Sequence, residues 1–301
     1  MNLVIAAFGV LGVSASGPLI AATLAGSSVT ALAIAFWRNA LAAVILAAPV
    51  AVRSPEQFRR LGRREYAWSG VAGLALAFHF VCFILSLTLT SVAASTALVC
   101  LQSGWIAVFG LLRGRRLPAA VVLGLGASFA GVVAITGFDL GGSRGAVLGD
   151  VLAVAGGILA ALYTMAGSKA RETMGTGTYT ALCYGVCAAI VAALALVSGQ
   201  RLAGFEPIGW AGIAAITLAA QLVGHTAFNY LVATFSPLVV SMIILLEIPG
   251  AAILAAGFLH QMVPAGTYVG LALILAGLAV VVLGQRRSRR EPQAQPELGT
   301  D

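Results

Sequence analysis

Four ionisable side chains lie inside long apolar stretches of the sequence: Arg38, His79, His225 and Glu247. An ionisable group at bilayer depth costs about 2.5–3.5 kcal/mol on insertion scales, so by default it indicates a functional site. Imidazole titrates near neutral pH and can also hydrogen-bond a solute. Glu247 is a candidate proton site or a ligand for a substrate ammonium group, and Arg38 a candidate for a role in the cavity or in coupling.

Each of these residues also has a purely structural interpretation. Arg38 could extend its head group to the outer interface or pair with a helix end. Glu247 could form a salt bridge, for instance to Arg38, or hydrogen-bond a carbonyl as a neutral acid. Each histidine could be a neutral group bonded across two helices.

Uncharged polar side chains inside the apolar runs extend this set, and Gln102, Tyr163 and Gln221 are predicted to line a cavity. Such groups also hold helices together by hydrogen bonds in lipid, which is the alternative for each of them. No cluster has the spacing of a metal site, and the four cysteines lie in apolar runs without a CxxC pair. We therefore expect no catalytic residue, disulfide, metal or cofactor.

The elements that position these residues must be membrane helices. Of the 301 residues, 60% are hydrophobic and only 9% are charged, and the mean hydropathy is +1.01. A soluble domain carries nearer one quarter charged residues. The net charge of +7 does not predict a nucleic-acid partner, because the basic residues form short clusters between apolar runs.

A membrane-spanning helix needs about 20 apolar residues, and the polar and turn signals divide the chain into ten such runs. The first run has no basic residues before it, so we expect it to stay as a span rather than be cleaved. Spans 1 to 10 are predicted at 3–23, 30–52, 67–89, 92–112, 118–138, 146–167, 177–198, 209–231, 237–259 and 265–285.

The charges between these spans predict the orientation. The segments 53–66, 113–117, 169–172 and 286–290 carry fourteen Lys and Arg residues, and ten spans place all four segments on one side. The opposite side carries only Arg144 and Arg201. Positive loops face the cytoplasm, so we expect a multi-pass protein of the bacterial cytoplasmic membrane with both termini cytoplasmic.

The chain contains an internal repeat with an offset of 146 residues. This offset aligns His79 with His225, and PAAVVLGLGASFAG from Pro118 with PAGTYVGLALILAG from Pro264. We predict repeats at 1–140 and 146–286, followed by a disordered basic and polar tail at 287–301. Because each repeat has five spans, the two must have opposite orientations, an architecture typical of transporters with a midplane site.

The sequence resembles the EamA family of the drug/metabolite transporter superfamily. The resemblance lies in AFWRNALAAVIL, TSVAASTALVCLQSGWIAVFGLLRGRRLP, LVVSMIILLEIPGAAILAAGFLHQMVP and the two P-x5-G-x6-G endings. It implies ten helices in two inverted halves, a central cavity and export of a small metabolite, amino acid or drug. The sequence departs from the family at Arg115 and His260–Gln261, where a Glu is frequent, and at Ser103, where the family has Pro.

Small residues and one proline in the spans are predicted to serve helix packing or hinging. For Gly270, close packing of span 10 on a neighbour is favoured over a hinge. The set consists of Gly104, Gly124, Gly131, Pro249, Gly250, Gly270 and Gly277.

The predicted function is secondary transport, with a small-molecule substrate and membrane lipids as partners. Proton exchange is one possible energy source, and the absence of a Walker A motif argues against direct use of ATP. The alternatives are an intramembrane enzyme, for which no convergent catalytic set is apparent, and a receptor or scaffold that does not transport.

Overall fold

The computed structural model describes residues 1–136, 144–259 and 265–290. The described chain is helical without strands, as the sequence predicts. The helices are α1 (Asn2–Ser14), α2 (Ser16–Gly26), α3 (Ala31–Arg53), α4 (Glu56–Arg59), α5 (Arg63–Ser86), α6 (Val92–Cys100), α7 (Gln102–Leu112), α8 (Ala119–Thr136), α9 (Arg144–Ala170), α10 (Thr176–Val197), α11 (Pro207–Ile216), a π-helix (Thr217–His225), α12 (Thr226–Leu231), α13 (Pro237–Ile244), α14 (Glu247–Leu259) and α15 (Ala265–Arg290).

Eight helical segments in the described residues are long and apolar enough to cross a membrane, and they coincide with spans 1–4 and 6–9. Spans 5 and 10 correspond to shorter apolar stretches, Ala119–Ala134 within α8 and Tyr268–Val281 within α15. The structure thus supports the prediction of ten helices in type and order, while eight meet the length requirement. The eight segments are Asn2–Gly26, Ala31–Arg53, Arg63–Ser86, Ala94–Leu112, Arg144–Ala170, Thr176–Val197, Pro207–Leu231 and Pro237–Leu254.

The ends of the predicted elements differ from the structure at two places. Helix α15 continues to Arg290, past the predicted boundary at 286. The rest of the predicted tail, residues 291–301, lies outside the described residues. So do His260, Gln261 and Pro264, which contribute to the family and repeat arguments.

Three spans are interrupted near their middles. Span 1 changes helix at Ala15, span 4 at Leu101, and span 9 after Ile244. Pro18 and Pro249 lie three residues into their second half-helices, where a missing N–H and a ring clash break the hydrogen-bond ladder. Span 4 has no such proline; there, bonds from Leu101 N to Leu98 O and from Gly104 N to Leu101 O form a tight turn. The second half-helices begin at Ser16, Gln102 and Glu247.

Span 8 contains a π-helix from Thr217 to His225, which the sequence did not predict. In a π-helix each carbonyl accepts a hydrogen bond from the N–H five residues later. Such segments are rare overall, and those that occur are often at functional sites. The Thr226 hydroxyl donates to the carbonyl of Gln221 at 3.0 Å at its end. The wider turn sets the direction of the Gln221 and His225 side chains.

The helices pack through extensive contacts between distant parts of the sequence. Helix α8 packs on α15, α5 on α9 and α10, α3 on α10, and α1 on the π-helix and α14. Large apolar side chains remain exposed on the outer faces, as at Val197, which is 90% exposed. Outward apolar faces suit a bundle whose solvent is lipid.

Helices α8 and α15 approach closely through two pairs of glycines. A Cβ atom on Gly124 would lie 2.6 Å from the carbonyl oxygen of Gly277. A Cβ atom on Gly131 would lie 2.6 Å from the carbonyl oxygen of Gly270. These four glycines let the two backbones touch directly.

The remaining small residues of the predicted packing set also lie in contacts. A Cβ atom on Gly104 would lie 2.6 Å from the ring of Phe129, and one on Gly250 would overlap Ser14. Pro249 is buried in the first turn of α14.

Polar contacts join the connecting segments at both ends of the bundle. At the end predicted to be cytoplasmic, Arg64 lies 3.1 Å from Glu172, which also pairs with Lys169 at 2.7 Å. At the opposite end, the Glu206 carboxylate accepts hydrogen bonds from the Ser28 backbone N–H at 3.2 Å and from its hydroxyl at 2.9 Å. Each end therefore has a contact between the first and second predicted repeats.

Candidate functional site

A cavity of about 630 Å³, including its open mouth, lies between spans 1, 3, 4, 6, 8 and 9. Both predicted repeats contribute to its wall, which alternates apolar, aromatic and polar side chains. The lining residues are Val13, Ser16, His79, Phe80, Phe83, Val99, Gln102, Ala160, Tyr163, Thr164, His225, Phe228, Asn229, Val232, Val240, Ile244 and Glu247.

The structure brings the seven polar residues singled out from the sequence to this one place. Five of them line the cavity: His79, Gln102, Tyr163, His225 and Glu247. Arg38 and Gln221 lie behind the wall, bonded to each other, and Arg38 contacts the lining residues Ser16 and Phe80.

Arg38 is completely buried and held by polar contacts on three sides. Its Nε donates to the Gln221 Oε1 at 2.8 Å and its Nη1 to the Ser16 hydroxyl at 3.4 Å. The guanidinium carbon lies 4.1 Å above the centre of the Phe80 ring, a cation–π contact that is strongest where water is excluded. Within the described residues, Nη2 has no partner and no carboxylate approaches within 4.0 Å.

Gln221 connects Arg38 to the neighbouring Asn39. Its amide nitrogen donates to the Asn39 Oδ1 at 3.2 Å, while its oxygen accepts from Arg38. Asn39 in turn donates to the carbonyl of Ala35 at 2.8 Å. Because both amides are satisfied and both are fully buried, this group fixes the π-helix of span 8 against span 2.

The two histidines meet across the cavity. Their ring centroids are 6.4 Å apart, and the His79 ring stacks on Phe83 at 6.0 Å. The Nδ1 of His79 lies 3.0 Å from the carbonyl oxygen of Gly156. Since a carbonyl only accepts, Nδ1 must carry a proton, which leaves Nε2 of a neutral ring as the acceptor.

A chain of buried hydrogen bonds runs from the cavity wall into spans 7 and 8. The Tyr163 hydroxyl donates to the Asn229 Oδ1 at 2.6 Å, and the Asn229 amide donates to the Tyr184 hydroxyl at 2.9 Å. Tyr184 lies 3.4 Å from the hydroxyl of Thr226, which bonds the carbonyl of Gln221. The chain therefore links the cavity to the π-helix and, through Gln221, to Arg38.

Glu247 and Gln102 occupy equivalent places in spans 9 and 4, at the first residue after each interruption. The Gln102 Oε1 accepts from the Thr164 hydroxyl at 3.4 Å. In the described part of the chain, the Glu247 carboxylate has no hydrogen-bond or ion-pair partner, and the residue is only half-buried because it faces the cavity. The salt bridge to Arg38 that the sequence left open is not formed.

Several polar residues of the site were not among the sequence-based candidates. Asn39 follows Arg38 directly, and Asn229 lies one helical turn after His225, so neighbouring polar positions on a helix were the available signal. Ser16 and Thr164 are small hydroxyl residues that ordinary membrane helices also contain, so nothing in the sequence marked them.

The site can bind a small solute by polar contacts on an otherwise apolar wall. It offers imidazole, amide, phenol and carboxyl groups, with a guanidinium immediately behind the wall. A cavity with few convergent polar groups on apolar walls is the usual form of a small-molecule site. The described residues contain no group of three or more His, Cys, Asp or Glu that could hold a metal ion.

Known proteins resemble this chain in fold and in sequence. A solved crystal structure superposes with a TM-score of 0.71 over 94% of this chain and 98% of that chain, at 18% identity; at that identity the likeness concerns the fold alone. A protein of Archaeoglobus fulgidus described as an uncharacterized transporter is 27% identical over 262 residues, which cover 84% of this chain and 88% of that protein.

A family model also matches the chain. Residues 147–283 match the model of the EamA-like transporter family, and they include Tyr163, Gln221, His225 and Glu247 of the cavity region. The match thus covers the second predicted repeat, which contains the span 9 and span 10 motifs of the resemblance. Over residues 147–283, this membrane-spanning chain is therefore similar to the EamA-like transporter family.

Proposed function

We propose that the protein is a secondary transporter that exports a small solute by alternating access of its two halves. The observation that carries the proposal is a cavity with a few polar groups on an otherwise apolar wall, built by helices from both predicted repeats. A solute bound there lies between the halves, so their relative movement would change its access from one side to the other. Export, rather than import, is taken from the family resemblance.

The helix contacts support an inverted repeat at 1–140 and 146–286. The repeat makes each span equivalent to the span five positions away, so the pair of spans 3 and 6 is equivalent to the pair of spans 8 and 1. Both pairs are in contact. The same exchange maps the pairs 2–7 and 5–10 onto themselves, and these are in contact too. A two-fold axis between the repeats produces this pattern, because its contacts must be reciprocal.

Individual residues follow the same rule. The offset of 146 residues relates Gly124 to Gly270 and Gly131 to Gly277, and the observed contacts are Gly124 with Gly277 and Gly131 with Gly270. His79 and His225, related by the same offset, meet at the cavity. These contacts support a two-fold axis through the site.

Within this proposal, the polar groups divide into recognition and coupling. Gln102, Tyr163 and the two histidines hydrogen-bond the solute. Arg38 supplies a positive potential behind the wall, and its bond to Gln221 holds span 8 in place. Glu247 exchanges a proton during the cycle. Its support is the unpartnered carboxylate at the cavity wall, placed at the interruption of span 9.

The substitution Glu247→Gln tests the coupling role. We expect the wild-type protein to transport with a rate that depends on pH, and the variant to lose net flux and this pH dependence, because the amide cannot carry the proton. Flux in proteoliposomes over a range of pH measures both. Glu56→Gln, a carboxyl on the exposed helix α4, is the matched control. Unchanged flux and pH dependence in Glu247→Gln would contradict the coupling role.

The substrate requires a broader experiment. Efflux of metabolites and drugs is compared between cells with and without the protein, and positive compounds are then followed as labelled solutes in proteoliposomes. Recovery of the label chemically unchanged distinguishes transport from an intramembrane enzyme. A broad panel without any protein-dependent movement would argue for the receptor or scaffold alternative.

A further inference from the structure

A second concave surface lies at the end of the bundle predicted to be cytoplasmic, separate from the cavity. It is a fissure of about 1700 Å³, including its open mouth, between spans 3, 4, 6 and 9. Its wall is apolar and includes Trp68, Val71, Ile106, Leu162 and Leu238. Val71 and Leu162 on this wall are 48% and 38% exposed, so the apolar surface of the fissure is accessible to a lipid.

One rim of the fissure is basic. Arg113, Arg115 and Arg116 form this rim, and Lys169 and Glu172 line the facing side of the fissure. Lys169 is paired with Glu172 at 2.7 Å. Within the described residues, the three arginine side chains have no carboxylate within 4.0 Å and no hydrogen-bond partner, so the rim carries uncompensated positive charge directly above an apolar groove.

The end of α7 explains why the arginines stand at this rim. Gly114 adopts a left-handed conformation with φ of 74°, and the bonds from Gly114 N to Leu111 O and from Arg115 N to Gly110 O stop the helix. This is the Schellman arrangement, in which glycine avoids the penalty of a side chain. The chain therefore turns at the mouth of the fissure and keeps all three arginines beside it.

We propose that this fissure binds an anionic phospholipid, with its phosphate on the arginine rim and an acyl chain on the apolar wall. The charge complements a lipid phosphate, and arginine forks match phosphate oxygens. Basic pockets between spans on the cytoplasmic side bind anionic head groups in this way. Basic residues are favoured at the C-terminal ends of helices and in cytoplasmic loops, which explains why arginines occur in this segment. That preference does not explain why they lie beside an accessible apolar groove.

The test measures thermal stabilisation of the purified full-length protein in detergent on addition of phosphatidylglycerol, phosphatidylcholine or glycerol phosphate. Three variants are compared with the wild type. The first replaces Arg113, Arg115 and Arg116 with Gln. The second, Gly110→Leu, narrows the fissure without a change of charge, since the space beyond Gly110 is open for 4 Å. The third replaces Arg59, Arg60 and Arg63, which do not line the fissure, with Gln.

We expect phosphatidylglycerol, but neither phosphatidylcholine nor glycerol phosphate, to stabilise the wild type. Loss of three arginine contacts should weaken the apparent binding of phosphatidylglycerol to the first variant by roughly 100-fold. The third variant should bind phosphatidylglycerol as the wild type does. Gly110→Leu should also lose binding, because the acyl chain no longer fits.

Three results would overturn the proposal. Equal stabilisation by phosphatidylcholine would show that the fissure does not select charge, and equal stabilisation by glycerol phosphate would show a free-anion site. Equal losses in the two triple variants would show a general effect of surface charge. None of these outcomes depends on transport, so the proposed function stands or falls separately.

Discussion

A guanidinium buried inside a bundle of apolar helices needs strong hydrogen-bond acceptors, and Arg38 has Gln221 and Ser16. The stacked ring of Phe80 covers one face of the cation. Because no carboxylate of the described residues lies within 4.0 Å of it, Arg38 is a positive charge without an ion-pair partner immediately behind the cavity wall. Gln221 is then the residue on which this charge depends most, since it forms the shorter of the two side-chain bonds.

The substitution Gln221→Leu should destabilise the protein by about 1.5–3 kcal/mol, the typical contribution of a hydrogen bond to a charged group. Equilibrium unfolding in mixed detergent measures the loss. Gln200→Leu, in the connection between α10 and α11, should change stability by less than about 0.5 kcal/mol.

The double variant Arg38→Met with Gln221→Leu tests the cause. Removal of both partners relieves the buried unpaired charge, so the double variant should be more stable than the sum of the two single losses predicts. Simple additivity would show that Gln221 acts by packing rather than by its bond to Arg38.

At the scale of helices, two kinds of contact determine how the spans sit together. Backbones touch where glycines face each other, as in α8 and α15, and connecting segments meet where polar side chains accept backbone donors, as at Glu206. The glycine contacts are sensitive to added side-chain volume, and the polar contacts at Glu206 are sensitive to protonation of the carboxylate.

The substitution Gly131→Ala places a Cβ atom 2.6 Å from the carbonyl oxygen of Gly270 and 2.9 Å from Ile274. Helices α8 and α15 must separate, at a cost of about 1–3 kcal/mol. Gly126→Ala, on the same helix with nothing within 4 Å, should be neutral or stabilising by up to about 1 kcal/mol. Unfolding measurements on the two variants check this; equal values would show that α8 and α15 do not touch at Gly131.

Glu206 makes the contact at the end opposite the basic loops sensitive to pH. The pKa of its carboxyl lies below the ordinary 4.5 because the carboxylate accepts hydrogen bonds from its own backbone N–H and from the backbone N–H and hydroxyl of Ser28. A lowered pKa means that the contact stabilises fully above the ordinary value and is lost as the pH falls through the lowered one.

Hydrogen exchange of the Ser28 amide, corrected for its intrinsic rate, measures this loss. Protection should be present at neutral pH and disappear as the pH falls through the lowered pKa of the Glu206 carboxyl. In Glu206→Gln the amide should show no such transition. Protection that stays constant in the wild type would show that Glu206 does not hold Ser28.

At the scale of the whole molecule, the predicted orientation depends on the number of spans. Ten spans place both termini and the four basic segments on one side, whereas an odd number would separate them. The eight long helices and two shorter apolar ones in the described residues match this order.

Cysteine labelling tests the orientation in a background without the four native cysteines. Ala203→Cys, in the connection before α11, should react with a membrane-impermeant maleimide in intact cells. Arg59→Cys, on α4, should react only after permeabilisation. Both positions are exposed, so burial does not explain a difference, and the reverse result would invert the predicted topology.

Local composition was sufficient for the helical class, the approximate bounds of the spans and the placement of Arg38, His79, His225 and Glu247 inside apolar helices. These properties depend on the transfer of each segment from water to lipid, which is nearly additive along the chain. The repeat offset also follows from sequence alone, because it relates positions rather than contacts.

Other features depended on packing between distant segments. The bond of Gln221 to Arg38 joins the π-helix of span 8 to span 2. The carboxylate of Glu247 lies at the interruption of span 9, on the cavity wall and not in a salt bridge with Arg38. Hydropathy carries no information on such geometry, because backbone hydrogen bonding and side-chain direction are settled only when the neighbouring helices are in place. The sequence by itself therefore determined which polar residues lie inside apolar helices, and the tertiary structure decided which of them share one cavity and which support it from behind.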